Sequence, residues 1–463
     1  MEDMLDSDLS RAAFARLIDN LAGSGTEMHS FVMYEGGRLV ARWGVSPYRA
    51  DDQAELYSLS KSFTSTAMGV AFDRGLVRED DLVLSYFPAC RGLCGSDERW
   101  SRLRLRHLMS MSTGHAACVM PRMAFAPDSA RAFFESPLSF EPGEKFVYNT
   151  GATCLMAAIV REVTGMTVPE VLGREVFPAL DIGAFAWKRC LDGSCQGGTG
   201  LALSCEEVAK LGLLYLGEGV YRGTRVLSRE WTRLATGKRI DNAGNGTPDW
   251  THGYGYQFWR NAGEGYRGDG AFGQVCAVLP ESGVVAAMLA ESADMQRELD
   301  ALWQFIRERH GTALPAQEPR RAYPPAAALS RQDTDSLWRD MEDNPAHLRA
   351  ARLIVKDGTA RALLMGEDGV QCVTASGAWQ DGALELADMA PALVAMMPRR
   401  ERQTMRFSAA ARSEGEDTVL DIRMRSAPHH FGMRFAFPDG KMRLTLETPF
   451  DVFGEEKVLR EKA

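Results

Sequence analysis

A serine and a lysine lie three residues apart, Ser58 and Lys61, at the start of the apolar segment "ELYSLSKSFTSTAMGVAFDRGLV". Residues three apart share one face of a helix, so the hydroxyl and the amine are expected to lie side by side. The segment is apolar on most faces, which predicts a buried helix and a partly buried lysine. Burial favours the neutral amine, which can act as a general base, and the helix N-terminus offers N–H groups to an oxyanion. The pair therefore has the composition of a serine nucleophile beside its base.

On its own this four-residue pattern is weak, because a capping serine and a solvated lysine are common at helix starts. Further along the chain come "LRLRHLMSMSTGH", "FEPGEKFVYNTGATCLMAAIVREVTG" and "GGTGLALSCEEVAKLGLLYLGEGVYRGTRVLS". In this order, from about residue 28 to 310, the segments resemble those of the serine β-lactamase-like superfamily. That superfamily includes class C β-lactamases, DD-peptidases, and related esterases and amide hydrolases.

The resemblance implies a role for three side chains. Ser58 matches the acylated nucleophile, Lys61 the base beside it, and Tyr148 the tyrosine that relays a proton between nucleophile and leaving group. Since Tyr148 would then have cationic or polar neighbours, its pKa is expected to lie below the usual value of ~10. The alternative for Tyr148 is a core aromatic residue before a helix.

One departure from the family pattern lies in the Tyr-x-Asn segment. Its third position is Thr150, and the asparagine stands in the middle, as Asn149. Both residues are candidate substrate contacts. In β-lactamases the asparagine of this motif contacts the amide side chain of the lactam, so its absence at position 150 weakens a lactam interpretation.

A second departure concerns the family's Lys-Thr-Gly strand, whose best match is "YRGDGAFGQVCAVLP" with Arg267 as the nearest cation. The "GAFGQ" part resembles the Gly-x-x-Gly-Gln of amide hydrolases that cleave 6-aminohexanoate oligomers. In that alignment the backbone N–H of Ala271 forms an oxyanion hole with that of Ser58, a role that needs no particular side chain. Loss of the lysine argues against recognition of a penicillin-type carboxylate. The residues that replace the motif, and are candidate substrate contacts, are Gly268, Asp269 and Gly270.

Several elements must position these residues. Strand signals flank a turn at residues 35–37, and a mostly helical section extends to about residue 240. Strand signals return in "YGYQFW", "QVCAVLP" and "GVVAAMLAE", and a helix follows from about Met295 to Arg309. This order predicts an α+β fold, an antiparallel sheet flanked by helices with a helical insertion, as in β-lactamases and transpeptidases.

A segment rich in proline and alanine, "PAQEPRRAYPPAAA", has no periodicity and predicts a linker. We therefore expect a hydrolase domain at 1–314, a linker at 315–329 and a second domain at 330–463. Apart from a short helical stretch near Leu337, the second domain alternates apolar and polar residues around Asp-Gly turns, so it is predicted to be mainly β. A lid over the site, a contact with one end of the substrate and a homodimer contact all remain open as its role.

Composition excludes several classes of protein. The net charge is −9, from 53 basic and 62 acidic residues with the signs interspersed, which argues against nucleic-acid binding. No apolar run reaches the ~18–20 residues of a membrane span, and "MEDMLDSDLSRAAF" lacks the regions of a signal peptide, so a cytoplasmic location is expected. Neither Cys90/Cys94 nor Cys190/Cys195 has the spacing of a zinc site, and reduced thiols are expected. No metal or organic cofactor is implied.

Together these features predict a serine hydrolase that forms an acyl-enzyme on Ser58. Its expected substrate is a small ester, an amide or a short peptide. Two other hypotheses remain open. One is a β-lactamase or DD-peptidase, and the other is a binding module without catalysis on the same fold.

Overall fold

The computed structural model describes residues 3–311, 315–323, 329, 333–344, 348–366, 369–385, 404–447 and 457–462. The chain divides into two compact units. The first comprises Met1–Gly44 and Arg49–Arg320, and the second comprises Val45–Tyr48 and Arg321–Ala463. The division at Arg320/Arg321 falls inside the segment predicted as a linker, of which residues 324–328 lie outside the described part.

Eleven α-helices occur among the described residues. In chain order they are α1 Arg11–Gly23, α2 Ser60–Asp73, α3 Val83–Tyr86, α4 Leu105–Met109, α5 Met120–Ala124, α6 Ser129–Phe134, α7 Thr150–Thr164, α8 Val168–Glu175, α9 Cys205–Leu216, α10 Arg229–Thr236 and α11 Met295–Glu308. Short 3₁₀ turns occur at Tyr57–Leu59, Pro88–Cys94, Glu98–Arg102, Ala243–Asn245, Pro248–Trp250 and Pro438–Gly440.

The described strands fall into two groups along the chain. Those before residue 300 are β1 Met4–Leu5, β2 Glu27–Glu35, β3 Arg38–Gly44, β4 Ala54–Glu55, β5 Ala186–Trp187, β6 Leu201–Leu203, β7 Val220–Tyr221, β8 Thr224–Arg225, β9 Trp259–Arg260, β10 Tyr266–Gly270, β11 Gln274–Leu279 and β12 Val284–Glu291. Those after it are β13 Thr334–Asp335, β14 Arg339–Asp340, β15 Ala350–Lys356, β16 Thr359–Gly366, β17 Gly369–Ser376, β18 Gln380–Glu385, β19 Thr404–Glu414, β20 Asp417–Met424, β21 His430–Ala436, β22 Arg443–Glu447 and β23 Lys457–Arg460.

The first unit is built on a seven-stranded sheet with the order β1-β3-β2-β12-β11-β10-β9. Every neighbouring pair in it is antiparallel. Strands β1 to β3 precede the helical section α2–α10, and strands β9 to β12 follow it. The predicted α+β fold with a helical insertion is therefore confirmed.

Helices cover the sheet because its central strands are apolar on both faces. Phe14 of α1 and Phe305 of α11 pack on Phe31 of β2, with ring centroids 5.3 Å and 5.7 Å from that of Phe31. Helix α9 lies against β11 and β12, where Gly212 permits close approach, since a Cβ atom there would lie 2.5 Å from a methyl group of Val285. Close helix–sheet packing of this kind holds the strands that position the candidate site.

The second unit is a β-rich unit, as predicted. Its sheet has the order β13-β15-β16-β17-β19-β20-β21-β22-β23, with β14 paired to β15 and β18 to β19. The predicted hairpin turn Asp357-Gly358 joins β15 to β16, and both residues have positive φ (50° and 70°), as type I′ turns require. The short helical stretch expected near Leu337 is wrong, because Leu337 itself has φ 55°, a left-handed conformation that interrupts a right-handed helix.

Among the described residues, no single helix has the length and hydropathy needed to cross a membrane. The pair Thr150–Thr164 and Val168–Glu175, bent by 63° at its break, meets those criteria only when the two helices are taken together.

Candidate active site

The candidate nucleophile, Ser58, lies in the 3₁₀ turn Tyr57–Leu59 that leads directly into α2. The backbone of Tyr57 has φ 47°, a conformation that residues with a side chain rarely adopt unless their surroundings impose it. The Tyr57 ring packs edge-on against Phe272, with centroids 5.0 Å apart, and the Leu56 N–H donates to the carbonyl oxygen of Leu201 at 2.8 Å. These contacts fix the turn on both sides of the serine.

Lys61 lies beside Ser58, as predicted. Its Nζ is 3.0 Å from Ser58 Oγ and donates to the carbonyl oxygen of Gly198 at 2.7 Å. Only 2% of the lysine is exposed, and burial lowers its pKa to about 8, against smaller opposing effects of nearby thiols and of Asp269. The amine is therefore a base of near-neutral strength in hydrogen-bonding distance of a hydroxyl.

Hydroxyl side chains anchor the buried helix α2. Ser62 Oγ donates to the carbonyl of Gln257 at 2.9 Å, and Thr64 Oγ1 donates to that of Gly197 at 2.6 Å. Gly198 must be glycine, because a Cβ there would lie 2.6 Å from Thr150 Cγ2. The glycine-rich loop thus passes between α2 and α7 closely enough for its carbonyl to hold Lys61.

Tyr148 joins this pair from the segment that precedes α7. The Lys61 Nζ lies 4.9 Å from the centroid of the Tyr148 ring. Trp259 stacks on the ring of Tyr148, with the two ring centroids 5.4 Å apart and the ring planes inclined by only 13°. The Val147 N–H donates to the carbonyl of Met111 at 2.8 Å, which holds the segment in place. The structure therefore brings the three predicted residues Ser58, Lys61 and Tyr148 together.

The predicted lowering of the Tyr148 pKa is wrong. The pKa of Tyr148 is raised well above 10, chiefly by burial and further by the charge of Asp269, while hydrogen bonding with Ser58 acts weakly the other way. The side chain keeps some solvent exposure, but desolvation of the phenolate outweighs the hydrogen bond with Ser58. Tyr148 is accordingly a neutral hydrogen-bond donor rather than a phenolate.

Strand β10 lies against the nucleophile turn through its glycines. A Cβ on Gly270 would lie 2.1 Å from the carbonyl oxygen of Leu56 and 3.1 Å from the amide nitrogen of Ser58. A Cβ on Gly268 would lie 2.5 Å from Ser62 Oγ. Ala271, an exposed residue, follows Gly270 directly, so the strand end that holds its N–H lies against the turn that holds Ser58.

Asp269, which was predicted as a candidate substrate contact, does not face the candidate nucleophile, and neither does Arg267. Side chains alternate along a strand, so both lie on the opposite face from the two glycines. Arg267 is fully buried, and its Nε donates to Asp269 Oδ2 at 3.0 Å. Asp269 also accepts from Trp250 Nε1 at 2.9 Å. The pair is a buried structural ion pair.

Asn149 is likewise not an open substrate contact. It is fully buried, and its Oδ1 accepts from the N–H groups of Gly151 and Val119, both at 3.0 Å, which caps α7 and ties down the preceding loop. Thr150, the first residue of α7, is half-buried and contacts Gly198. The amide of Asn149 is thus occupied by the protein itself.

A family model described as Beta-lactamase matches residues 14–311. The chain belongs to the beta-lactamase family. It is 25% identical over 229 residues to the 6-aminohexanoate-dimer hydrolase of Paenarthrobacter ureafaciens, covering 45% of this chain and 58% of that one. It is 23% identical over 158 residues to a beta-lactamase of Escherichia coli K12, covering 33% and 41%. The chain therefore spans about half the length of the curated relatives it matches.

Solved structures agree on the fold of this beta-lactamase-family chain. The octameric penicillin-binding protein homologue from Pyrococcus abyssi matches with a TM-score of 0.51 and 15% identity, over 96% of this chain and 98% of that one. At this identity the similarity establishes the fold alone. It includes the β-rich second unit as well as the family domain.

Sequence reasoning did not assign a role to three residues of the site in this family member. They are Gly198, whose carbonyl holds Lys61, Trp259, which stacks on Tyr148, and Gln274, which braces the β10–β11 turn. The glycines of "QGGTG" signalled a close backbone approach. Nothing in the local sequence signalled which groups that loop approaches.

One group of side chains could hold a divalent cation. Glu27, His29 and Glu291 each place one ligand atom within 4.8 Å of the others, on the paired strands β2 and β12. Carboxylate and imidazole groups are suitable metal ligands. The Ser58–Lys61–Tyr148 arrangement does not include these residues.

Proposed function

We propose that this chain is a serine hydrolase that cleaves a small ester or amide through an acyl-enzyme on Ser58. The observation that supports it best is the 3.0 Å approach of Lys61 Nζ to Ser58 Oγ inside a buried site. With a pKa of about 8, roughly a tenth of Lys61 is neutral at pH 7 and half at pH 8. A neutral amine at this distance can accept the serine proton without a further conformational change.

In the acylation step, Ser58 Oγ attacks the carbonyl carbon of the substrate while Lys61 Nζ takes its proton. The carbonyl oxygen becomes an oxyanion, which the N–H groups of Ser58 and Ala271 stabilise. Because these donors are backbone groups fixed by the packing of Gly270, they are oriented before the charge forms. Collapse of the intermediate breaks the bond to the leaving group.

Tyr148 supplies the proton that the leaving group needs, and Lys61 returns a proton to Tyr148. The raised pKa of Tyr148 keeps its hydroxyl protonated at neutral pH, which suits a donor. Water then attacks the acyl carbon while Lys61 accepts its proton. The bond between the acyl carbon and Ser58 Oγ breaks, and Lys61 returns the proton to Oγ, which frees the acid and restores Ser58 and the neutral lysine.

Charge and shape around the site favour a substrate without a carboxylate near the scissile bond. Arg267, the nearest cation in the sequence that could have bound a substrate carboxylate, is fully buried and forms an ion pair with Asp269. The rings of Phe146, Tyr254 and Trp259 pack around Tyr148, and those of Tyr254 and Trp259 are buried. An apolar or aromatic substituent suits this uncharged aromatic surrounding better than a penicillin-type carboxylate.

The test is intact-mass spectrometry after treatment with a fluorophosphonate probe, followed by peptide mapping. The expected result is a single adduct on Ser58 in the wild type and none in Ser58→Ala. Ser60→Ala, which changes a buried serine two residues away, serves as the matched control and should still be labelled. A folded wild type without an adduct would contradict the proposal and favour a binding module.

If Ser58 is labelled, the next measurement is the hydrolysis rate of a panel of p-nitrophenyl esters, anilides and a chromogenic cephalosporin. Turnover of esters or anilides with little lactam turnover is the expected outcome. Slow release of a penicillin adduct from Ser58, without ester or anilide turnover, would instead indicate a β-lactamase or a DD-peptidase.

A further inference from the structure

Glu298 is a buried carboxyl group that the proposed mechanism does not use. It lies in α11, and none of its surface is exposed. Its Oε2 lies directly beneath the β10–β11 turn, because a Cβ on Gly273 would be 2.7 Å from that oxygen. Gly273 has φ 93°, so the turn needs glycine for its backbone conformation as well. The carboxyl group of Glu298 thus packs against the backbone of the turn that begins with Ala271.

From the other side, Gln274 holds the same turn. Its Nε2 donates to the carbonyl oxygens of Phe272 and Ala290 at 2.9 Å and to that of Ala271 at 3.3 Å. The Ser292 N–H donates to the Phe272 carbonyl at 3.1 Å. The side-chain amide of Gln274 and the backbone N–H of Ser292 therefore fix the turn on one side, and the carboxyl group of Glu298 packs against it on the other.

The surroundings of Glu298 disfavour its charged form. Ser292 is the polar side chain that faces it, and neither carboxyl oxygen has a hydrogen bond of good geometry within the described part of the chain. Burial is the largest effect and the charge of Asp269 adds to it, whereas the Ser292 hydroxyl and Arg267 act in the opposite direction. The pKa of Glu298 is raised to about 8, so the carboxyl is uncharged at neutral pH.

We propose that Glu298 is a positioning residue for the oxyanion-binding turn, and that it supports the turn only in its uncharged form. A carboxylate buried against the Gly273 backbone, with the Ser292 hydroxyl as the polar side chain facing it and no charged partner in hydrogen-bonding distance among the described residues, would draw in water and displace the turn. The N–H of Ala271 moves with that turn. This inference rests on the proposed function, since the N–H matters only if Ser58 is acylated.

The experiment measures the rate of fluorophosphonate labelling of Ser58 between pH 6 and pH 9.5. It compares the wild type with Glu298→Gln, which has the same shape but remains uncharged at every pH. Asp300→Asn is the matched control, because it makes the same chemical change at an exposed position of the same helix. Each rate is divided by that of Glu298→Gln at the same pH, which removes the titration of Lys61 common to all three.

The wild-type ratio is expected to fall about tenfold between pH 7 and pH 9, as a group of pKa about 8 loses its proton. Asp300→Asn should follow the wild type. A wild-type ratio that stays within about twofold over the whole range would overturn the role of Glu298 while leaving the serine hydrolase intact. Absence of any Ser58 adduct in the wild type would overturn the proposed function, and this inference with it.

A measurement on the wild type alone covers the case in which Glu298→Gln does not fold. Amide hydrogen exchange of a peptide spanning residues 269–275, corrected for the intrinsic effect of pH, should show about a tenfold loss of protection between pH 7 and pH 9. Constant protection over that range would refute the proposal. A structural residue without a titration step would give that constant result.

Discussion

Two buried cations in the first unit lie over aromatic rings at nearly the same distance but have opposite characters. Lys61 Nζ is 4.9 Å from the centroid of the Tyr148 ring, and the Arg267 guanidinium is 4.8 Å from that of Trp250. Both side chains are almost completely buried. Lys61 hydrogen-bonds to the neutral oxygens of Ser58 and Gly198, whereas Arg267 forms an ion pair with Asp269.

This difference indicates that burial alone does not make a cationic side chain reactive, because the type of side chain and its partner together determine whether it can give up a proton. Burial lowers the pKa of Lys61 to about 8, because its hydrogen-bond partners are neutral oxygens that do not compensate the desolvation of the ammonium. A guanidinium remains protonated in proteins, and a carboxylate compensates its charge. The first arrangement can exchange a proton with a substrate, and the second can only hold the fold together.

Converting Lys61 into a permanent cation should have the largest effect. In Lys61→Arg the charge remains but no base is available, so the labelling rate of Ser58 is expected to fall by about 10²- to 10⁴-fold. Lys145→Arg, the same change at an exposed position, should label at the wild-type rate. A Lys61→Arg protein that is labelled within tenfold of the wild type would mean that Lys61 is not the base.

Removing the other cation should act on stability instead. Arg267→Met leaves Asp269 buried without its counter-charge, so the free energy of unfolding is expected to drop by about 3–5 kcal/mol. Urea denaturation followed by circular dichroism measures the loss, with Arg297→Met on the exposed face of α11 as the control. A loss no larger than that of the control would show that the Arg267–Asp269 pair is dispensable.

The comparison also predicts how stability depends on pH. In the folded protein Lys61 loses its proton near pH 8, and in the unfolded chain near 10.5, so between these values the unfolded chain binds more protons. Stability rises with pH wherever that holds, so this group makes the wild type more stable from pH 8 to pH 10.5, by about 3 kcal/mol at most. Below pH 8 the cost of the buried ammonium is fully present.

Lys61→Met has no such titration, so its advantage in unfolding free energy should be largest and constant below pH 8 and should shrink toward pH 10.5. Denaturation curves of both proteins at pH 7, 8.5 and 9.5 test this, with Lys145→Met as the control for the loss of a surface charge. An advantage that does not change above pH 8 would contradict the assigned pKa.

Much of this comparison was predictable from the sequence, and the remainder was not for identifiable reasons. The order of segments predicted the fold and the grouping of Ser58, Lys61 and Tyr148. Strand alternation was an available signal that Arg267 and Asp269 face away from the two glycines of β10, whereas the match to the family's Lys-Thr-Gly strand predicted Asp269 as a substrate contact.

Other features of the site depend on tertiary contacts that local sequence does not encode. The carbonyl of Gly198 reaches Lys61 across 137 residues, and Glu298 reaches the Gly273 turn from a different element. The pKa of Tyr148 was predicted with the wrong sign, because desolvation depends on how many protein atoms surround the ring.

Tyr148→Phe provides the finest distinction, because it keeps the ring beside Lys61 and removes only the hydroxyl. If Tyr148 donates a proton to the leaving group, the effect must depend on how much that group needs one. Hydrolysis of a p-nitrophenyl ester, whose leaving group departs as an anion, should change by less than about threefold, and hydrolysis of the matching anilide should fall by about 10²-fold. Tyr254→Phe, the same change on the neighbouring buried ring, should leave the ratio of the two rates unaltered. An equal loss on both substrates would assign Tyr148 a role in activating Ser58 rather than in protonating the leaving group. If neither rate changed, the ring of Tyr148 and not its hydroxyl would be the part that the reaction needs.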